Sequence, residues 1–382
     1  MTNPIARMIN RLFYARPKSG KVVASDFSTV NENIDSLSES VRVLSKNVQS
    51  IQDSISELGG LDLMKSLKKT QDYGYRNRKL TENILSLVER QSVFKNYLSA
   101  VSIIKNEASY MPEWLEYHII MGIEKFYIYD NDSTDNIREV LAPYIEAGIV
   151  DYTFWPGAAQ QVHACNHCLS KCKLDTRWLV HFDIDEFIYP HFDKNIPDYL
   201  KKMEEFPAIL LTWLAHGTSG KKTREPGLVV ERFKDHVDYD LETWVGERGG
   251  WTNSQVKEIV NPRFVDRFIS PHMHPLLGQS VAVNSRGEYV HAFNHEPEGR
   301  TLANIHLNHY PLKSEEEFWL KKGKGRGTKV VADDKQQAYY DDYFKRHNCN
   351  EVKDDPMMEK YVPLIKQAIK DRYKNSVPSN VG

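Results

Sequence analysis

Three short acidic stretches constrain how this chain folds, because each follows an apolar run of strand length: Lys105-Asn106-Glu107, Asp130-Asn131-Asp132 and Asp183-Ile184-Asp185-Glu186. Runs of strand character at 98–104, 125–129, 150–155 and 177–182 are separated by helical periodicity at 112–121, 137–147 and 160–173. This alternation predicts an α/β fold with a mostly parallel sheet and right-handed crossover helices. In an open parallel sheet, ligands bind beyond the carboxyl ends of the strands, so acids carried by three strand ends meet in one crevice. Asp183 and Asp185, one residue apart, repel by about 4 kcal/mol at ~4 Å in an effective dielectric of ~20, and a divalent cation removes that cost. The loop Asp132-Ser133-Thr134-Asp135 also offers N-cap side chains to the helix expected at 137–147.

A chain of 382 residues with 41% hydrophobic content can bury one catalytic core with appendages. Lys+Arg 50 against Asp+Glu 52 leaves a net charge of -2, which gives no global field for holding nucleic acid. Three of the four cysteines cluster at Cys165, Cys168 and Cys172 and the fourth is Cys349, a distribution unlike a secreted disulfide framework. The N-terminus lacks a signal-peptide apolar core, so the expected compartment is the cytosol. No apolar run approaches the ~20 residues needed to span a bilayer.

Residues 1–25 carry Arg7, Arg11, Arg16, Lys18 and Lys21 with no acid, interleaved with Ile5, Met8, Ile9, Leu12 and Phe13. The pattern fits an interfacial helix on a peripheral membrane surface, or a disordered basic tail. From 26 to 60 the apolar residues form two heptad sets: Phe27, Ile34, Val41, Val48 and Ile55, and Val30, Leu37, Leu44, Ile51 and Leu58. β-Branched residues in the first set with leucine in the second favour a parallel two-stranded coiled coil, and Ile51 leaves a trimer open. A homo-dimer or homo-trimer is expected; the competing reading is an amphipathic helix packed on its own core. Gly59-Gly60 ends the heptads, 61–96 reads as a helical stalk, 97–330 as the catalytic domain and 331–382 as a tail with a helical pattern at 357–369.

The segments KNE at 105–107, DNDSTDN at 130–136 and FDIDEF at 182–187 resemble the GT-A nucleotide-sugar-dependent glycosyltransferases, in particular glycosyltransferase family 92 and its neighbours in the family-2-like superfamily. The resemblance continues through Trp213-Leu214-Ala215-His216-Gly217, Pro226-Gly227, Glu231-Arg232-Phe233, Lys257-Glu258-Ile259-Val260 with Pro262, His309-Tyr310 before Lys313-Ser314, and Glu316-Glu317-Phe318. It covers roughly 97–325; the family more often has an aromatic residue where Ala215 stands. It implies a GT-A fold with a UDP-sugar donor and Mn²⁺ or Mg²⁺ held by Asp183 and Asp185. His309, or His306, would complete the metal shell, and an imidazole ligand tips the preference toward Mn²⁺. By the same resemblance Asp130 and Asp132 contact uridine or ribose, Lys105, Asn106 and Glu107 shape the base pocket, and Lys257 and Asp183 belong to the donor site.

An inverting transfer needs a base near the acceptor hydroxyl, and Glu231 and Glu247 are the candidates. The implied activity moves a hexose, with galactose favoured, to a saccharide acceptor such as a lipid-linked glycan or lipopolysaccharide precursor. Two alternatives stay open. A sugar nucleotidyltransferase would carry a glycine-rich signature near the first strand, which is missing, and the paired aspartates argue against a non-catalytic coiled-coil scaffold with a decayed transferase domain.

Trp213, Trp244 and Trp251 are candidates for stacking on sugar faces, although large aromatics commonly fill cores. Lys321, Lys322, Lys324 and Arg326, spaced by glycines, read either as a mobile basic loop closing over the diphosphate or as a solvated flexible loop, without the GxxxxGK[ST] spacing of a P-loop. His163, Cys165, His167, Cys168 and Cys172 mimic a zinc cluster, yet the thiols recur at helical spacing and read as one buried face of a helix. His272 and His274, beside Pro271 and Pro275, stand in an irregular stretch as further acceptor or metal candidates.

Overall fold

The computed structural model describes residues 94–238, 256–272, 274–277, 280–290, 304–323 and 335–374, with six helical positions between 39 and 49. The heptad positions, the basic segment before them and the expected stalk up to residue 93 lie outside the described residues; 94–96, read as the end of that helical stalk, are non-helical, with Asn96 opening the first strand. The α/β part begins as the sequence pattern predicts: β1 (Asn96–Ile104), α1 (Met111–Ile120), β2 (Lys125–Asp130), α2 (Ile137–Glu146), β3 (Val150–Phe154), α3 (Gln161–Cys172) and β4 (Thr176–His181). Pro112 sits in the first turn of α1, where a missing N–H costs nothing. The helix ends before Gly122 at φ +93, where an added Cβ would also strike the Pro197 ring at 2.7 Å.

The second half is β5 (Glu186–Pro190), α4 (Ile196–Leu200), β6 (Ala208–Ala215), α5 (Val229–Arg232), β7 (Val256–Val260) and β8 (Ile305–His309), followed by α6 (Glu315–Gly323), α7 (Lys335–His347) and α8 (Val362–Tyr373). The strands form a sheet of order β3-β2-β1-β4-β7-β6-β8-β5. β3, β2, β1 and β4 run parallel, whereas β4 with β7, β6 with β7, and β5 with β8 pair antiparallel. The antiparallel half is absent from the sequence pattern, because β7 and β8 bury Lys257, Glu258, His306, Asn308 and His309 where an apolar residue marks an ordinary strand.

The core centres on Trp114 of α1, with its ring 5.5 Å from Phe126 and 4.8 Å from Phe182. Its indole N–H also donates to the carbonyls of Asp183 and Glu186, at 3.1 and 3.0 Å, which pins the turn joining β4 to β5. On the outer side of α1, α8 buries Ile365 and bonds Glu116 through Arg372 at 2.9 Å. Residues 94–275 and 281–382 form one compact unit that includes α8. No helix among the described residues is long and apolar enough to cross a membrane.

Trp114→Phe keeps the ring packing and removes the donor from two buried carbonyls. We expect it to lower unfolding free energy by about 1–3 kcal/mol in urea titration, at unchanged m-value.

Candidate active site

Register places the three acidic stretches side by side: Ile104 of β1 is opposite Asp130 of β2, and Val101 is opposite His181 of β4. The first two loops are laced together. Asn106 Oδ1 accepts from the Thr134 N–H at 2.6 Å, Asn106 N–H donates to Ser133 Oγ, and Ala108 N–H donates to Asp135 Oδ2. Asn106 and Asp132 occupy left-handed backbone at φ 55 and 62, conformations that Asn and Asp tolerate. These side chains therefore brace the loops rather than cap the following helix; the N-cap of α2 is Asn136, without a side-chain cap bond. Asp130 is buried, and its oxygens accept from Tyr152 Oη at 2.6 Å and Ser133 N–H at 2.9 Å. Asp132 and Lys105 are exposed at the loop surface.

Asp183 and Asp185 occupy the turn after β4, and each meets a lysine. Lys257 of β7 is buried, with its ammonium 3.0 Å from Asp183 Oδ2 and 3.4 Å from Glu186 Oε2. Lys321, in the last turn of α6, pairs with Asp185 Oδ2. Burial opposes ionisation of both aspartates, but Lys257 and His181 outweigh it at Asp183, and Lys321 and His309 outweigh it at Asp185, so both lie below the usual carboxylate range. Glu186 behaves oppositely: burial raises its pKa well above normal despite Lys257. Its Oε2 accepts the Asp183 N–H at 2.7 Å, which shapes the turn.

His309, at the end of β8, pairs across the sheet with Glu186 and Ala215. Its ring lies 4.1 Å from Trp213, and its Nε2 is 4.0 Å from Asp185 Oδ2. Burial lowers its pKa to about 3, against the pull of Asp185, so the imidazole is neutral and its Nε2 can hold a lone pair. Asp185 and His309 thus present an ionised carboxylate and a neutral imidazole to the same space, a donor set that fits a divalent cation. Asp183 faces Lys257 instead. Among the described residues, no three His, Cys, Asp or Glu side chains are gathered closely enough to hold a metal ion.

A second cluster lies beside the first. Glu317 of α6 takes a two-pronged bond from Arg232, at 2.9 Å for both contacts, and accepts from Tyr110 Oη at 2.9 Å. Glu107 acts electrostatically on Tyr110, Lys313 and Lys321. Glu113 is buried and accepts the N–H groups of Val229 and Val230 at 2.7 and 3.0 Å; burial raises its pKa to about 7. Sequence pattern gives no site role to Glu113, Tyr110 or Lys313. The one local signal is an acid, Glu113, on the apolar face of α1.

Glu231 bonds Lys366 of α8 at 2.7 Å and accepts from the Leu228 N–H at the start of α5. Lys366 lowers its pKa. Glu247, Trp244, Trp251, Lys324 and Arg326 lie outside the described residues. Lys321 and Lys322 finish a helix rather than a loop, and Lys322 lies over the Tyr343 ring at 4.5 Å. His306 bonds His191 and Asn308. Cys165, Cys168 and Cys172 are buried free thiols along α3, as their spacing indicated. His272 packs on Trp213 with ring centres 5.6 Å apart, while His274 packs on Phe268 at 3.8 Å.

A model of glycosyltransferase family 92 matches residues 96–319, more than half of the chain. The chain belongs to glycosyltransferase family 92. A family 92 protein of Ricinus communis is 34% identical over 108 residues, 27% of this chain and 18% of that one. Another, from Oryza sativa subsp. japonica, is 28% identical over 242 residues, covering 61% of this chain and 36% of the relative. Galactan beta-1,4-galactosyltransferase GALS3 of Arabidopsis thaliana is 26% identical over 189 residues, covering 47% and 32%. The chain thus spans between about a fifth and a third of the length of these curated relatives. Among solved structures, S. aureus TarS 1-349 aligns with a TM-score of 0.31 at 11% identity, covering 74% of this chain and 93% of that one.

Behind the site, Glu258 is fully buried, accepts the His274 N–H at 2.9 Å, and has its pKa raised by burial to about 8. A carboxyl whose folded pKa exceeds its unfolded value stabilises fully below the unfolded pKa, and that contribution is lost as pH rises through the folded one. Glu258→Gln is therefore expected to be more stable than wild type at pH 8.5, by on the order of a few kcal/mol, with the difference shrinking toward pH 5. Paired urea titrations at the two pH values check this; an equal difference at both removes the assignment.

Proposed function

We propose that the chain is a metal-dependent inverting glycosyltransferase that moves galactose from a UDP-sugar to a saccharide acceptor. The observation that carries this reading is the ionised Asp185 carboxylate facing the neutral His309 imidazole at the carboxyl edge of the sheet, beside two lysines. Galactose as the sugar is supported by relatives named galactan beta-1,4-galactosyltransferases.

Asp185 and His309 would hold Mn²⁺ or Mg²⁺, with Asp183 reaching it only on release from Lys257, and the ion would supply Lewis-acid stabilisation of the departing nucleoside diphosphate. Lys257 keeps Asp183 ionised, and Glu186 fixes its backbone. Asp132 is the exposed carboxylate available to ribose hydroxyls, with Asp130 and Asn106 bracing its loop and Lys105 at the rim. Trp213, packed on His309, offers a sugar-stacking face. The base must accept the acceptor proton as the bond to the anomeric carbon forms. Glu231 is committed to Lys366 and made more acidic, so we assign that role to Glu247. The heptad pattern and the basic N-terminus support a homo-oligomer at the cytosolic face of a membrane, with a glycolipid or polysaccharide acceptor.

With UDP-galactose, a β-1,4-galactan oligosaccharide and Mn²⁺, the full chain is expected to release UDP, and Asp185→Ala to lose at least about 100-fold in rate. Pyrophosphate as the released product, or undiminished release by the variant, overturns the reading. Glu231→Gln is expected to stay within about threefold of wild type in kcat, whereas loss of a general base costs roughly 10²–10⁴-fold.

A further inference from the structure

Lys313 follows the last core strand and is 3% exposed, between the buried Leu312 and Ser314. Its backbone is left-handed at φ 58. A side chain other than Gly, Asn or Asp held there costs roughly 1–3 kcal/mol and persists where the surroundings over-determine it, commonly at ligand clamps. The ammonium lies 4.3 Å from the centre of the Tyr110 ring. Among the described residues no carboxylate pairs with it directly. The acids facing it include Asp185, Glu107, Glu317 and Glu113; Asp185 pairs with Lys321, Glu317 with Arg232 and Ser314, and Glu113 with the Val229 and Val230 N–H groups.

Lys321 also faces Lys313, and Arg224 lies 5.1 Å from the centre of the same Tyr110 ring, so cations gather in one region beside Asp185. Burial, and then Lys321, lower the pKa of Lys313, as expected of a cation lacking a counter-charge of its own. Two lysines beside one aspartate, one of them buried on strained backbone, make a seat for a polyanion.

We infer that Lys313, together with Lys321, binds the diphosphate of the donor and receives the charge of the departing nucleoside diphosphate. The inference rests on the proposed donor only for the identity of the anion. As the acceptor oxygen bonds to the anomeric carbon, the bond from that carbon to the β-phosphate oxygen breaks and its electron pair stays on the phosphate. The Lys313 ammonium offsets that charge from the protein side, and Lys321 moves from Asp185 toward the same oxygens.

The test is calorimetric binding of UDP, uridine and inorganic pyrophosphate to the full chain, with and without Mn²⁺, for wild type, Lys313→Met and Lys313→Gly. Loss of one charge-assisted contact is expected to weaken UDP and pyrophosphate by roughly 10–100-fold and leave uridine unchanged. Lys313→Gly, which relaxes the left-handed backbone, is expected to keep or raise the Tm while losing the same affinity, which separates binding from folding. UDP affinity within twofold of wild type in both variants overturns the seat and leaves the donor reading intact. Pyrophosphate binding that depends on Lys313 without any UDP binding keeps the seat and overturns the uridine donor; no binding of either ligand by wild type overturns both.

Discussion

The buried ammonium of Lys257 is the interaction on which the rest of the site depends. It lies between Asp183 and Glu186, on the strand that joins the parallel and antiparallel halves of the sheet. Removing one partner of such a buried pair leaves an uncompensated charge, which typically costs about 3–5 kcal/mol. Geometry follows from the same contact. β7 meets β4 over only Leu179–Val260 and Val180–Ile259, so the ion pair extends that short pairing past the ends of its hydrogen bonds. The turn that offers Asp185 to His309 is thus fixed by Lys257 from one side and by the Trp114 N–H from the other.

Electrostatics then divides three neighbouring acids. Asp183 and Asp185 each have a lysine and stay ionised, while Glu186, fully enclosed and sharing Lys257, is pushed toward its neutral form. Close acids can coexist here because they do not all carry charge. Burial keeps His309 neutral, so the imidazole adds no positive charge to compete with an incoming cation.

The first half of the fold was legible in the sequence because its strands and helices obey local rules: apolar runs, helical spacing, Pro112 and Gly148 as boundaries. Asp183 and Asp185 were legible for the same reason, as two acids set among Phe182, Ile184 and Phe187. The second half was not. β8 reads Ile-His-Leu-Asn-His, and its polar residues are buried by contacts with strands far away in sequence, a cost that periodicity does not reveal. Nothing in the sequence pattern marks Lys313, because its burial and its left-handed backbone arise only in the folded chain. The loop after β2 misled differently: Asp and Ser there do satisfy backbone N–H groups, but those of the loops themselves rather than of the next helix.

The C-terminal helix α8 lies past residue 319, where the family match stops, yet it covers the outer side of α1 and supplies the partners of Glu116 and Glu231. α1 in turn carries the indole that holds the aspartate turn. The matched stretch is therefore shorter than what packs together here, and a domain boundary drawn at residue 319 would cut through the wall that supports the aspartate turn.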